Sequence, residues 1–322
     1  MVLRQFIDIG LMIAFSSRSL KIRSIRCFCP EGKSCRGRYA KIELHSFQHP
    51  YANHANYQSH FFHFCVDFCP GKCQIGAKKK ALLTLDSAIN KAGRQRMLTQ
   101  RILKSWLLIG QDVATDTAQE QLDQGIGLFE TQLEELETFA PTPSIQNALT
   151  NVRSQWVEFR QRAIAIPEKK KAFALIEDGN QLLAACETVV TQLEQYAHNT
   201  KGKLINVSGR QRMLSQRIGM YYAAHSWGVG NPATAEQFDH AVSEFDQALS
   251  RLQQSQLNSV EIGKALDKVA SQWEFSRSGF QLMNNGRFVP FVIQATTESM
   301  LGKMDKITHM YEQLDTQSVA AK

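Results

Sequence analysis

The stretch Ile89-Asn-Lys-Ala-Gly-Arg-Gln-Arg-Met-Leu-Thr-Gln-Arg-Ile102 returns 116 residues later as Ile205-Asn-Val-Ser-Gly-Arg-Gln-Arg-Met-Leu-Ser-Gln-Arg-Ile218. Eleven of the fourteen positions are identical, and a twelfth exchanges Thr99 for Ser215. The echo continues outward: Phe129, Leu133 and Leu136 answer Phe245, Leu249 and Leu252, and Ser154-Gln-Trp156 answers Ser271-Gln-Trp273 after a one-residue slip. An internal repeat of this length decides the architecture before any local propensity does. The chain from residue 81 onward is a tandem duplication.

Each copy reads as four helices, rich in Ala, Leu, Gln, Glu and Lys and broken by proline or glycine. The first copy gives helices near 84–113, 116–139, 144–165 and 169–199, with breaks at Gln111–Thr117, Pro141-Thr-Pro143 and Pro167. The second gives 203–227, 233–256, 258–284 and 290–316, with breaks at Gly228–Pro232 and Gly286–Pro290. Long helices with short connections form up-down bundles. The expected fold is all-α: two tandem four-helix bundles, 81–200 and 201–322, after an irregular segment 1–80. The junction Gln195–Lys203 has one Gly and no Pro. It leaves two geometries open, bundles side by side or end to end through a nearly continuous helix.

Charge and cysteine separate the first eighty residues from the rest. Residues 1–80 hold 13 Lys and Arg against 4 Asp and Glu, whereas residues 81–322 hold 24 against 26. The formal net charge of +7 therefore belongs to the N-terminal quarter. A body with no basic surplus does not track phosphates, which excludes nucleic acid as its partner. Six of the seven cysteines (Cys27, Cys29, Cys35, Cys65, Cys69, Cys73) also precede residue 80, with His60 and His63 beside them. Zinc sites pair C-x₂₋₄-C units in compact loops. Cys65-x₃-Cys69 falls inside that window, but Cys27-x-Cys29 is too tight and the two cysteine triplets lie far apart in the chain, so no metal is expected. Phe61, Phe62, Phe64 and Phe68 argue against a disordered tail. A reading frame opened upstream of the true start is the preferred reading of this Cys- and His-rich basic extension. Ile9–Phe15 is a poor export signal, preceded by Arg4 and interrupted upstream by Asp8.

The repeated segment carries the candidate chemistry. On a helix, Ile89, Gly93, Arg96 and Gln100 share one face, and Asn90, Arg94, Met97 and Arg101 the next. No carboxylate lies between Asp86 and Asp112, so with Lys91 the stretch stands at +4. Arginine offers a planar fork that fits oxyanions bidentately. A helical glycine costs about 1 kcal/mol relative to alanine, usually offset by the close approach of a helix or ligand. A mid-helix arginine read alone is a solvated residue or a partner for Glu on the next helix. Both copies keep the Gly, three Arg, two Gln and Asn while their surroundings diverge, which favours a binding role.

At these residues the sequence resembles the PilJ-type domain, the N-terminal sensory module of type IV pili methyl-accepting chemotaxis transducers. It is similar also to the P-box of NarX/NarQ-type nitrate and nitrite sensors. The resemblance implies a periplasmic four-helix bundle over residues 81–322. In the nitrate sensors a Gly and an Arg from each of two subunits hold one anion on a twofold axis. By motif position these are Gly93 with Arg96, and Gly209 with Arg212. Because this chain contains both half-sites, they are expected to form one pseudo-symmetric site within it. Asn90, Asn206, Arg94, Arg210, Arg101 and Arg217 are expected to support it. Arg94 and Arg210 replace small or neutral residues of the nitrate-sensor box, so nitrate recognition does not carry over by itself and the extra charge suits a different or larger anion; a nitrate-like, nitrite-like or small carboxylate anion is expected.

The sequence continues into no transmembrane helix, linker bundle or signalling coiled coil, so a separate membrane chemoreceptor or sensor kinase is expected to receive the signal, with a homodimer left open. No enzyme is expected: His198, His225, His240 and His309 are scattered, and haem-attachment, Walker, dinucleotide and Glu-x-x-His motifs are absent. No cofactor is expected either. Trp106, Trp156, Trp227 and Trp273 read as core residues at matching places in the two copies. The alternative function is a helical scaffold or adaptor in which the arginine box is a packing motif.

Overall fold

The computed structural model describes residues 21–25, 39–43, 83–284 and 286–314. The chain divides into two compact units, Met1–Lys80 and Ala81–Lys322. In the first, β1 (Lys21–Ile25) pairs antiparallel with β2 (Tyr39–Glu43), with Arg23 opposite Lys41. An irregular segment was expected there. Ile22, Ile25, Tyr39 and Ile42 favour strands, but five-residue runs are too short to display a period. Cys27, Cys29, Cys35, Cys65, Cys69, Cys73, His60 and His63 lie outside the described residues.

Among its described residues the second unit has eight helices: α1 (Leu85–Gly110), α2 (Thr115–Phe139), α3 (Pro143–Ala163), α4 (Lys169–Ala197), α5 (Thr200–Ser226), α6 (Pro232–Gln253), α7 (Val260–Asn284) and α8 (Pro290–Glu312). Their starts follow capping chemistry. Thr84 and Thr142 accept hydrogen bonds from the amides of Ser87 and Ile145, the latter helix opening on Pro143. Asn231 and Thr234 form a reciprocal capping box around Pro232. None of the helices described is long and apolar enough to cross a membrane.

The α4–α5 junction is a corner, so the end-to-end geometry does not occur. His198 takes a left-handed conformation with φ 48°, and Asn199 caps α5 by accepting from the Gly202 amide at 2.6 Å. The helix therefore turns back, and α5 lies parallel to α1. Lys201 reaches Asp86 at one end, and Ser226 reaches Gln111 at the other. Helix α1 packs on α2, α4 and α5, while α5 packs on α6, α8 and α1. Two four-helix bundles thus share a central pair within one unit. Because α1 and α5 are covered on nearly every side, even their polar residues Gln95, Thr99, Gln100, Gln211, Ser215 and Gln216 are buried.

The repeat is visible in the packing. Trp156 stacks on Phe129 with centroids 3.9 Å apart, and Trp273 sits on Phe245 at 4.3 Å. Gln95 and Gln211 donate to the carbonyls of those same phenylalanines, at 3.1 and 2.8 Å. Trp106 and Trp227 are not counterparts, contrary to the sequence reading. At the repeat's offset Trp106 answers Tyr222, and the two tryptophans meet edge to face at 5.8 Å across α1 and α5.

Candidate functional site

The parallel register of α1 and α5 brings the two boxes face to face. A Cβ built on Gly93 would lie 3.3 Å from Arg96 Nη2, 3.5 Å from Arg212 Nη2 and 4.0 Å from the Gly209 Cα. A Cβ on Gly209 would lie 3.1 Å from Arg212 Nη2 and 3.7 Å from Arg96 Nη2. Both guanidiniums therefore converge on the glycine contact between the helices, and both are fully buried. They are not solvated.

Each is held by a carboxylate and by the opposite copy. Arg96 Nη1 donates to Glu187 Oε2 at 2.6 Å, and its Nη2 donates to the Asn206 side-chain oxygen at 2.8 Å. Arg212 Nη1 donates to Asp305 Oδ1 at 2.5 Å, and its Nη2 donates to the Asn90 carbonyl at 3.1 Å. Asn206 and Asn90 are themselves oriented by Glu194 and Glu312. The outer arginines cross over: Arg210 reaches Glu187 at 2.9 Å, and Arg94 reaches Asp305 at 2.7 Å. Arg210 also pairs with Glu244 on α6.

One edge of each inner arginine stays half-used. Arg101 and Arg153 turn their Nε and Nη2 atoms together onto the carboxylates of Glu298 and Glu137, the bidentate mode that arginine favours. At Arg96 and Arg212 the corresponding Nε is buried with no partner. An unpaired buried donor is costly, and charged ones more so. Burial lowers the Arg212 guanidinium to about 10 despite the pull of Asp305, with Arg94 and Arg96 adding to the effect. Burial works to raise the Glu187 and Asp305 carboxyls, but the arginines on each outweigh it and hold both below the ordinary carboxylate range.

Gly93, Arg96, Gly209, Arg212, Asn90, Asn206, Arg94 and Arg210 are thus brought together. Arg101 and Arg217 are not. Arg101 joins the buried Lys104 on Glu298, 2.8 and 2.6 Å away, and Arg217 turns to Tyr221 and Gln237. Both lie further along their helices, where α8 and α6 supply nearer partners than the centre does. Sequence reasoning missed Glu187, Glu194, Asp305 and Glu312. Their signal is an acid-x₆-acid pair on the fourth helix of each copy, repeated at an offset of 118 rather than 116. Among the described residues no cluster of His, Cys, Asp and Glu is arranged to hold a metal. Cys186, beside Arg96, is buried, and burial pushes its thiol up to about 12.

A family model described as the N-terminal region of type IV pili methyl-accepting chemotaxis transducers, PilJ, matches residues 83–179 and again 197–287. The methyl-accepting chemotaxis protein McpN of Pseudomonas aeruginosa is 32% identical over 95 residues, 28% of this chain. That match covers only 17% of the relative's length. No solved structure matches.

Proposed function

The chain belongs to the PilJ family, and from that premise we propose that it is a periplasmic sensory protein that holds one small planar oxyanion between its two copies. The family is a sensory, non-catalytic signal-transduction module. The observation that carries the anion reading is the pair of half-used Nε–Nη2 edges on Arg96 and Arg212, converging on Gly93 and Gly209. A small planar anion such as nitrate, nitrite, formate or acetate presents oxygens at the spacing of that edge. It would give the unpartnered Nε donors an acceptor and offset the repulsion between neighbouring guanidiniums. Asn90 and Asn206 position the forks, and Arg94 and Arg210 add charge. The loaded protein would then be read by a separate membrane chemoreceptor or sensor kinase.

Thermal unfolding with each anion tests this. A ligand at 100 times its Kd should add about 2.7 kcal/mol of stability. One anion per chain is expected, with Arg96→Ala and Arg212→Ala each abolishing binding. If each variant keeps half the sites at unchanged affinity, the shared site is wrong. Fractionation of natively produced protein checks the compartment, and a cytoplasmic result would overturn it.

A second reading has its own observation. Both inner arginines already hold carboxylates through Nη1, as a purely structural ion-pair network would. Under it the protein is a helical scaffold, and none of these anions changes its stability beyond the response of Arg96→Ala.

A further inference from the structure

Glu187 and Asp305 flank the arginine centre, and each is shared between the two copies. Glu187 on α4 takes Arg96 of α1 on one oxygen and Arg210 of α5 on the other. Asp305 on α8 takes Arg212 of α5 and Arg94 of α1 on one oxygen. Glu244 adds a third carboxylate at Arg210. Four guanidiniums therefore meet three carboxylates, leaving one positive charge in excess. Glu194 and Glu312, one hydrogen bond further out on Asn206 and Asn90, add two more carboxylates and turn the wider count to one negative charge. The nearby Lys91 and Lys201 are matched by Glu135 and Asp86.

Burial gives this count its force. Charge imbalance around fully buried groups is poorly screened by water, so an added ion is accepted or refused largely on its own charge. A monoanion cancels the one-charge excess of the groups in direct contact, and every further negative charge adds to the repulsion from the five carboxylates around it. A dianion leaves a negative excess facing the half-buried carboxylates of Glu187 and Asp305.

We propose that Glu187 and Asp305 are specificity-determining residues, forming a valence filter that admits monoanions to the site and turns away dianions of similar size. This rests on the anion reading above and deepens it. Discrimination comes from a built-in repulsive element rather than from a better fit to the favoured ligand. The outer arginines, Arg94 and Arg210, act here through the carboxylates that they hold in place.

Calorimetric titration of the full chain with sodium nitrate and sodium sulfate, at matched ionic strength and neutral pH, tests the filter. Wild type should bind nitrate more tightly than sulfate. Glu187→Gln and Asp305→Asn keep the shape and remove one negative charge each. Either should move the sulfate-to-nitrate affinity ratio toward sulfate by about tenfold or more, and the double variant further. The ratio reports on charge preference, which a merely structural role for the two carboxylates would leave unchanged. Should Glu187→Gln fail to fold, Asp305→Asn carries the same test, and the wild-type ratio needs no variant. Sulfate binding as tightly as nitrate to wild type overturns the filter. So does an unchanged ratio in variants that still bind nitrate, and in both cases the anion site survives. Absence of any anion binding to wild type overturns site and filter together.

Discussion

A methyl group at position 93 would enter the space on which both guanidiniums converge, 3.3 and 3.5 Å from their Nη2 atoms. Each guanidinium is pinned at Nη1 by a carboxylate, so it yields only by shifting the edge that meets a ligand. Alanine is favoured over glycine in a helix by about 1 kcal/mol. Gly93→Ala should therefore melt at or above the wild-type temperature while losing tenfold or more in nitrate affinity. Retained affinity in that variant would refute the role given to the glycine contact. The inner glycines and arginines were legible in the sequence because duplication had marked them. Glu187 and Asp305 were not, since a single acid on a Glu-containing helix stands out from nothing and the repeat has slipped two residues by then.

Single elements differ between the copies in ways that the shared box conceals. Helix α1 places the buried Lys104 against Glu298 of α8, where Gly219 leaves room beside the lysine stem. At the corresponding places the other pair of helices has Met220 and Asn180. Breaking a buried ion pair at one end costs about 3–5 kcal/mol, whereas replacing both partners is often neutral or stabilising. Glu298→Asn should fall in the first class by urea unfolding, and Lys104→Met with Glu298→Asn should recover part of the loss, the remainder being the carboxylate that Arg101 has lost. Acid separates wild type from that double variant. Burial works to raise the Glu298 carboxyl, but Lys104 and Arg101 outweigh it and hold it at about 2, against an ordinary value of 4.5. A depressed carboxyl stabilises fully above its unfolded value, and the contribution is lost as pH falls through the folded one. About 3 kcal/mol is at stake in that window, so the double variant should have the lower acid-unfolding midpoint. At the α4–α5 corner, His198→Gly relieves a left-handed residue and should add about 1 kcal/mol, read as a higher Tm. The eight helices were legible from their prolines and glycines, to within a few residues at their ends. This corner was not: histidine carries no turn signal of its own, and the left-handed turn rests on the bond from its amide to the Glu194 carbonyl.

At the scale of the molecule, the central α1–α5 contact runs from Lys201 and Asp86 to Ser226 and Gln111. The covalent link at the corner is therefore not what holds the copies together. Cleavage at a protease site inserted between His198 and Asn199 should leave both fragments in one particle on gel filtration; separation would show the interface to be weaker than its extent implies. The duplication was legible in the sequence, yet the parallel side-by-side packing was not. A junction without proline fits either geometry, and the choice lies in apolar contacts between residues more than a hundred positions apart. The one-sided Lys104–Glu298 pair has a further consequence. On a true twofold axis an anion turned toward one of the two arginines has an equivalent pose turned toward the other, and the protein has no means of preferring one. Here the surroundings of the two arginines are inherited separately, so mutation in one copy can make head and tail unequal. An anion bound in the fused chain would then have a direction, which the symmetric site denies it.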